Sequence, residues 1–201
     1  MNPLNADQQR VVLDGAMRLF EKHDLADISL DRLTKLTGVP GFDIVRQYHS
    51  SENIIQAVLE RELELMAVAA QTPELRMPGE TLADELHLMA GVILDQYRRR
   101  LPFLTKMLVE TIRSPKVGAM FYGTFIVQGR LLFTEFLRAR KERGELREQV
   151  DVEAAAAMFL AALTGMFMVH DIFGGKEVEP LDEDRALREI CDTFLTGVVR
   201  R

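Results

Sequence analysis

The sequence contains few residues that build covalent or metal-held scaffolds. Of its 201 residues one is cysteine, Cys191, and none is tryptophan. A single thiol excludes an intramolecular disulfide framework and suits a reducing compartment, so we expect a cytoplasmic protein. The four histidines lie far apart, without HExxH or any other ligand spacing, at His23, His49, His87 and His170. We therefore predict no metal site and no cofactor.

Catalytic motifs are absent from the sequence as well. It has neither a Walker phosphate-binding loop nor the GxGxxG turn of dinucleotide-binding folds. His170 and Asp171 are neighbours on a predicted helix, where adjacent side chains point in different directions. Cys191 has no histidine close to it in sequence, which favours an inert buried thiol over a nucleophile. We predict no catalytic residues and no enzyme activity; a small-molecule enzyme of helical fold is the weakest alternative.

Long apolar stretches are also scarce, and the longest covers residues 154–169. It is shorter than the roughly 20 residues that cross a bilayer, so we interpret it as a helix buried in protein. The first residues, MNPLNADQQRVV, are polar and contain no apolar signal region. The expectation is a folded chain without a membrane partner.

The net charge is −6, with an isoelectric point near 5.3. A strongly acidic chain is not an obvious partner for nucleic acid. Residues 1–50 are no exception, because they hold six cations and seven anions. If this region binds DNA, a few locally placed groups must do so.

What the sequence does contain is helical periodicity. Val12, Ala16, Leu19 and Phe20 follow the spacing of one helix face, and no segment alternates with the period of two expected for a strand. Caps and breakers divide the chain into about nine helices, with a linker over residues 72–80. Predicted helix starts include Ser29, Ser50 or Ser51, Thr81, Asp151, and Pro180 or Asp182. The predicted fold class is all-α.

Two short helices around Gly38 have the spacing of a helix-turn-helix. Glycine supplies the backbone freedom that a tight turn requires, and Leu33 and Val39 can pack the pair against the first helix. The exposed side of the third helix could then enter a DNA major groove. Many helical proteins contain two short helices around a glycine, so periodicity alone leaves an ordinary structural turn equally open.

Residues 12–57 resemble the N-terminal signature of the tetracycline-repressor (TetR) family. The motifs that carry the resemblance are Ala16-x-x-Leu19-Phe20 for the family's A-x-x-L-F, Ser29 to Thr34 for T-x-x-x-I-A, Gly38-Val39 for the turn, and Tyr48-x-x-x-Glu52 followed by Ile54 for F-x-x-K-E and a leucine. The resemblance implies a three-helix helix-turn-helix DNA-binding head over residues 1–50. It also implies a helical effector-binding and dimerisation body over residues 51–201.

The third helix departs from the family pattern at positions that usually contact phosphate. The usual serine, Lys-Gly pair, threonine, tyrosine and following lysine stand here as Pro40, Gly41-Phe42, Asp43, Val45 and Ser51. Several of these changes remove a phosphate donor, and Asp43 adds an anion. The resemblance therefore supports the fold more strongly than it supports DNA binding.

A small number of side chains remain available for DNA. Arg46 can reach guanine or phosphate, Gln47 can pair with adenine, and Asp43 could accept from cytosine or only stabilise the helix start. The predicted DNA-binding set is Ser29, Lys35, Pro40, Gly41, Phe42, Asp43, Arg46, Gln47, Tyr48, His49 and Ser51. For each single residue, a solvated surface side chain is an equally open alternative.

The family resemblance also implies an effector pocket in the body. The chain has 10 methionines and 11 phenylalanines, which could line an adaptable apolar cavity and predict an apolar or amphipathic effector. The predicted pocket residues are Met89, Tyr97, Phe103, Met107, Phe121, Tyr122, Phe125, Met166 and His170, with His170 or Tyr122 as the polar group. An ordinary packed core is the alternative interpretation.

The helix predicted over residues 151–173 is apolar nearly all round, so most of its surface must be covered. Paired with the last helix, it would form a four-helix interface with a second copy of the chain. The predicted interface residues are Phe159, Leu163, Phe167, Leu187, Ile190, Phe194 and Val198. Intrachain packing of both helices is the alternative.

The sequence thus predicts a homodimeric TetR-like transcriptional regulator, a repressor in which effector binding weakens operator binding. Its partners would be double-stranded DNA with a near-palindromic operator, a second copy of the chain and a small apolar or amphipathic molecule. The alternative is a helical ligand- or partner-binding module with a degenerate, weakly DNA-binding head.

Overall fold

The computed structural model describes residues 4–24, 28–69 and 81–200. Across these ranges the chain forms ten helices and no strand, apart from one isolated bridge between Leu146 and Val199. The predicted all-α fold is therefore confirmed. The predicted linker at residues 72–80 lies outside the described residues.

Nine of these ten helices correspond to predicted ones, and the additional one is a single turn, α9. The helices are α1 Ala6–Lys22, α2 Leu30–Thr37, α3 Gly41–Tyr48, α4 Ser51–Ala69, α5 Leu82–Arg99, α6 Leu101–Arg113, α7 at residues 115–142, α8 Val152–Ile172, α9 Gly175–Val178 and α10 Glu183–Val198. Two of them contain a wider π-type turn, α7 at Tyr122–Ile126 and α8 at Met168–Ile172.

Polar N-caps explain where several helices begin. The Asn5 side chain accepts a bond from the Gln8 N–H, and the Gln8 side chain accepts one from the Asn5 N–H, which together form a capping box before α1. Ser29 and Asp151 cap α2 and α8 as predicted. For α4 the capping side chain is that of Ser50, whose hydroxyl accepts a backbone N–H.

The backbone packs into two compact units. The first comprises Met1–Leu63 and Pro102–Ile126, and the second comprises Glu64–Leu101 and Val127–Arg201. Helix α6 and the start of α7 therefore pack with the N-terminal helices. The functional boundary between residues 50 and 51 therefore stays a prediction.

The core of the first unit forms around α1. Val12, Ala16 and Phe20 are fully buried on one face of α1, as the periodicity predicts, together with Leu33 of α2. The Phe20 ring meets the Phe103 ring of α6 edge to face, with centroids 5.6 Å apart. Burial of these apolar side chains fixes the base on which α2 and α3 rest.

The core of the second unit is an aromatic cluster contributed by α7, α8 and α10. The Phe159 ring lies 4.9 Å from the ring of Phe133 and 4.9 Å from that of Phe194, measured between centroids. Arg140 of α7 pairs with Glu85 of α5 at the edge of this core. The cluster joins the two helices predicted for dimerisation to the rest of their own unit.

Helix α8 is longer than the apolar stretch seen in the sequence. It covers 21 residues, long and apolar enough to cross a membrane by length and composition, and 28% of its most apolar stretch is buried within one chain. The core helix of a soluble protein satisfies the same length and composition criterion. One side, with Phe159, Leu163 and Phe167, is buried. The exposed side, called here the small-residue face, consists of Ala154, Ala157, Met158, Ala161, Ala162, Gly165 and Val169.

Candidate functional site

The helix-turn-helix is held by its backbone and by the Thr37 side chain of α2. Gly38 ends α2 with φ of 71°, in the left-handed region that favours glycine. The Thr37 hydroxyl donates to the Leu33 carbonyl at 2.6 Å and accepts the Val39 N–H at 3.2 Å. The turn is therefore fixed without a side-chain cap on α3, because Pro40 at its N-cap position makes no such bond.

Close helix packing reinforces this geometry at two glycines. A Cβ on Gly15 of α1 would lie 2.6 Å from the Thr37 methyl carbon, so only glycine allows the present approach of α1 and α2. A Cβ on Gly41, the first residue of α3, would lie 3.0 Å from the Thr34 hydroxyl oxygen. The glycine in place of the family's lysine therefore also serves the packing of α3 on α2.

Helix α3 separates its side chains into a buried face and an exposed face. Ile44 is fully buried and Tyr48 is 8% exposed. The exposed face, called here the reading face, consists of Phe42, Val45, Arg46 and His49, spaced i, i+3, i+4 and i+7. Ile44 and Tyr48 therefore pack inward, while the reading face, which includes the apolar Phe42 and Val45, is open along the whole helix.

The remaining predicted DNA-binding residues occupy different environments. Lys35 and Pro40 are exposed, Asp43 and Gln47 are partly buried, and Ser29 uses its side chain to cap α2. The Ser51 hydroxyl donates to the Ile28 carbonyl at 3.0 Å. Ser29 and Ser51 therefore have structural partners and Tyr48 is buried, while Lys35 and the reading face present groups outward.

His49 ends α3 in an unusual conformation. Among the described residues it is the only non-glycine with positive φ, at 65° with ψ of −37°. Its N–H donates to the Val45 carbonyl at 2.7 Å, which closes the last turn. A backbone outlier of this kind costs energy and persists where the surrounding packing enforces it. The imidazole is exposed at the end of the reading face.

An ion cluster that the sequence did not predict ties α6 to the loop after α1. Lys106 and Arg113 of α6 both donate to the Asp24 carboxylate, and Arg113 also contacts the buried Glu110 at 3.4 Å. Hydrogen bonds from Lys106 and Arg113 hold the pKa of Asp24 below its usual range. The partners are 82 and 89 residues apart in the chain, and no local pattern links such positions.

Five of the predicted pocket residues belong to the first unit. Phe103, Met107 and Phe125 are buried there, and the Phe121 ring stacks on that of Phe125 at 5.3 Å. Tyr122, one of the two predicted polar groups, is 59% exposed. These residues contribute to the packing of their own unit, and their role in an effector site stays a prediction.

The other four predicted pocket residues belong to the second unit. The Tyr97 ring packs against Phe167 at 5.3 Å, its hydroxyl is hydrogen bonded to Thr164, and burial raises its pKa. His170 lies in the π-type turn of α8, and its Nδ1 is buried without a hydrogen-bond partner. Met89 and Met166 are partly exposed. A buried nitrogen without a hydrogen-bond partner is costly, so this atom is a candidate polar contact for a ligand.

An ion cluster fixes the end of α8. The Asp171 side chain is 2% exposed and accepts bonds from Arg98 at 3.1 and 3.2 Å and from Lys176 at 3.1 Å. Arg98 also donates to Glu183 of α10 at 2.5 Å. Burial alone would raise the pKa of Asp171, but the bonds from Arg98 and Lys176 outweigh it and lower the pKa.

An open groove of about 900 Å³ lies between α8 and α10 within the second unit. Met158, Ala154 and Ala162 line it from α8, and Ile190 and Phe194 from α10. Of the seven predicted interface residues, five are buried inside the chain: Phe159, Leu163, Phe167, Leu187 and Val198. Ile190 and Phe194 are partly exposed. The surface open to a partner is therefore formed mainly by the small-residue face.

Comparison with known proteins identifies the family. Residues 98–197 match the TetR C-terminal family model described as AefR-like transcriptional repressor, C-terminal domain. No curated protein sequence matches the chain significantly.

Solved structures share the fold along almost the whole chain. A TetR-family transcriptional regulator from Mesorhizobium loti superposes with a TM-score of 0.77 at 13% identity, covering 97% of this chain and 98% of that one. The flavonoid-responsive regulator FrrA gives 0.77 at 21% identity, covering 98% and 100%. The fatty acid degradation regulator FadR from Bacillus halodurans gives 0.72 at 13% identity, covering 96% and 97%. With the C-terminal family match and the N-terminal motifs, these findings establish that the chain belongs to the TetR family of transcriptional regulators.

Proposed function

We propose that the protein is a homodimeric repressor that binds a near-palindromic operator and releases it when an apolar or amphipathic small molecule binds. The observation that carries the proposal is the open reading face of α3 beside a turn fixed by Gly38 and Thr37. A helix presented in this way has the form that enters a major groove in helix-turn-helix proteins. The single buried thiol and the family suit a cytoplasmic location.

The exposed cations of the predicted DNA-binding set give a quantitative expectation for how DNA affinity depends on salt. Lys35 and Arg46 are the exposed cations of the predicted set, which gives about four phosphate or base contacts per dimer and a slope of log affinity against log salt near −4. This slope is shallow for a regulator. The protein would therefore depend on base contacts by Arg46 and Gln47, and on backbone amides, more than on phosphate attraction.

A salt titration with three variants tests DNA binding. Duplexes come from selection on a random pool, and affinity is measured by fluorescence anisotropy at several salt concentrations. Arg46→Ala removes two cations per dimer and should flatten the slope by about 2, whereas Gln47→Ala should weaken binding of the selected duplex without changing the slope. Arg138→Ala removes the same charge from the part of α7 that belongs to the second unit, and serves as the matched control.

The outcomes separate the proposal from its rival. If the wild type binds the selected duplex no better than random DNA at moderate salt, the repressor proposal fails. An equal loss of slope in Arg46→Ala and Arg138→Ala would mean that bulk charge, and not the reading face, attracts DNA.

Dimerisation is proposed through the open surface of α8 and α10. The small-residue face allows close helix approach, and the adjoining groove supplies Met158, Ile190 and Phe194 as larger apolar contacts. Only 28% of the most apolar stretch of α8 is buried within one chain. Exposure of the rest of this apolar surface to water is unfavourable, and a second copy of the chain would cover it. The resulting four-helix arrangement would set the spacing of the two heads.

The effector is proposed to be apolar or amphipathic, with its polar group near His170. In the second unit, Tyr97, Phe167 and Met166 supply apolar surface, and the unpartnered Nδ1 of His170 supplies a polar contact. Two proteins of the same fold are described as a flavonoid-responsive regulator and a fatty acid degradation regulator, and both descriptions concern apolar or amphipathic molecules. Release would be a population shift, in which the effector binds better to the form whose heads are wrongly spaced.

A thermal-shift screen tests the effector class. Flavonoids and medium-chain fatty acids should raise the melting temperature of the wild type, and sugars should not. His170→Leu should reduce the shift for the same ligand, while His23→Leu, in the first unit, should leave it unchanged. A shift produced by polar ligands alone would contradict the proposed effector class.

The second candidate is a ligand- or partner-binding module with a degenerate head. It is favoured by Pro40, Gly41 and Val45, which lack the phosphate donors usual in the family, and by Ser51, whose hydroxyl is already bonded to Ile28. Effector binding with no salt-dependent affinity for any duplex would support this candidate over the repressor.

A further inference from the structure

The first turn of α3 carries an apolar side chain in an unusual position. Phe42 is 67% exposed, and Val45 on the next turn is 38% exposed. They lie three residues apart on one helix, beside Arg46, so the phenyl ring and the valine methyls form one continuous strip along the reading face. Neither side chain contributes to the core that Ile44 and Tyr48 form on the opposite side.

The size of this strip argues against a protein partner. A phenylalanine and a half-exposed valine offer on the order of 200 Å² of apolar surface, against the roughly 800 Å² per partner of a stable protein interface. The side chains next to the strip are charged or polar, with Arg46 and His49 on one side and Asp43 at the helix start. An occupant must therefore supply small apolar groups within a polar, negatively charged surface.

The DNA major groove has that chemistry. Its floor presents donors and acceptors on every base pair, and its one apolar group is the C5-methyl of thymine. The groove is walled by phosphates, which suit Arg46 next to the strip. Pro40, Gly41 and Phe42 offer no side-chain hydrogen bonds, and Asp43, the one hydrogen-bonding side chain of the first turn, is partly buried. The first turn of α3 therefore gains sequence preference mainly through apolar contact by Phe42.

We infer that Phe42, assisted by Val45, recognises thymine C5-methyl groups, and that each operator half-site carries thymine opposite the first turn of α3. The inference rests on the proposed DNA binding and extends it to a specific chemical group. It makes Phe42 a residue that determines base preference without a hydrogen bond. A base pair with cytosine at the same place would present a polar edge to the ring.

Uracil substitution in the selected duplex isolates the methyl group. Uracil keeps the Watson–Crick pairing of thymine and removes only its C5-methyl. Loss of one buried methyl weakens binding about fourfold, so replacement in both half-sites should weaken wild-type binding about 15-fold. Phe42→Ala should weaken binding of the thymine duplex by a similar or larger factor, and it should lose most of the difference in affinity between thymine and uracil duplexes.

Matched controls separate the methyl contact from other effects. Ile112→Ala removes an exposed apolar side chain, 78% exposed, from α6 of the same unit and should retain the full uracil penalty. Uracil placed outside the half-sites should have no effect on any variant. Because Phe42 is exposed, its alanine variant should melt within a few degrees of the wild type, which excludes misfolding as the cause.

The possible outcomes distinguish failure of the inference from failure of the proposed function. Specific binding with no uracil penalty at any half-site thymine overturns the inference and leaves the proposed repressor intact. A uracil penalty that persists undiminished in Phe42→Ala assigns methyl recognition to another residue and also overturns it. Failure to enrich any duplex from the random pool removes the proposed function, and the inference falls with it.

Discussion

The close contact between α1 and α2 at Gly15 predicts that a side chain at this position would destabilise the protein. In Gly15→Ala the new Cβ would lie 2.6 Å from the Thr37 methyl carbon, about 1 Å closer than the roughly 3.5 Å at which carbon atoms attract. Thr37 cannot rotate away freely, because its hydroxyl bonds both Leu33 and Val39. The helices must therefore separate, or two hydrogen bonds must break.

The size of the effect follows from two opposing contributions. Overpacking of this kind costs about 1–3 kcal/mol, while replacing glycine by alanine inside a helix contributes about 1 kcal/mol in favour of folding. Because the Thr37 methyl cannot move away freely, the cost of overpacking lies toward the upper end of this range. We therefore expect the free energy of unfolding to fall by about 1–2 kcal/mol. The change should also weaken DNA binding, because the turn that supports α3 shares Thr37.

Urea denaturation followed by circular dichroism measures the change in unfolding free energy. The rescuing variant is Gly15→Ala with Thr37→Ser, because serine keeps both hydroxyl bonds and lacks the clashing methyl. The matched control is Gly91→Ala in α5, where a Cβ would meet nothing within 4 Å, and it should stabilise the protein by about 0.5–1 kcal/mol. If Gly15→Ala stabilises as Gly91→Ala does, or if Thr37→Ser gives no rescue, the packing argument is wrong.

Three further predictions concern the second unit. Asp171→Asn should destabilise the protein at neutral pH by about 2 kcal/mol, less than a fully buried pair because Arg98 keeps a third of its side chain exposed. Since folding lowers the pKa of Asp171, the stabilisation by its carboxylate is present above the unfolded pKa of about 4 and is lost as the pH falls. The melting temperatures of wild type and variant should therefore converge in acid, and a constant difference between them would refute this. Burial, and to a smaller extent the charge of Asp192, raises the pKa of the Cys191 thiol to about 11. A thiol reagent at pH 8 should therefore label the buried thiol only when the protein unfolds, and rapid stoichiometric labelling of the native protein would contradict this. If the proposed dimer forms through α8 and α10, Met158→Lys should give a monomer in sedimentation equilibrium, whereas Val178→Lys, at an 87% exposed position of α9, should leave the dimer intact. An unchanged dimer in Met158→Lys would place the interface elsewhere.

The local features of the fold were predictable from the sequence. Apolar spacing marked the buried face of α1, and capping residues such as Ser29 and Asp151 marked helix starts, because both signals lie within a few residues of the structure they determine. Gly38 marked the turn for the same reason, since its positive φ is a local requirement.

Features that depend on distant parts of the chain were not predictable. The need for glycine at position 15 comes from Thr37, and the partners of Asp24 are Lys106 and Arg113. Neither relation leaves a periodic trace in the sequence.

The choice of interface residues shows a related limit. Helix α8 is apolar on nearly all sides, so periodicity cannot distinguish the side that packs within the chain from the side that remains open. The larger side chains, such as Phe159 and Leu163, are buried, and the open side is mostly alanine. The prediction relied on the large apolar side chains, which lie on the side that packs within the chain. The surface available to a partner consists of small residues.

The most direct test of the central claim is selection of DNA by the intact protein from a random duplex pool, followed by sequencing. A dimer that presents two α3 helices should enrich a near-palindromic motif whose half-site centres lie about one helical turn apart, roughly 10 base pairs, or a multiple of it. The same selection with Arg46→Ala should lose that motif. Enrichment of no motif, or of a motif without two-fold symmetry, would contradict the account of the protein as a dimeric helix-turn-helix regulator.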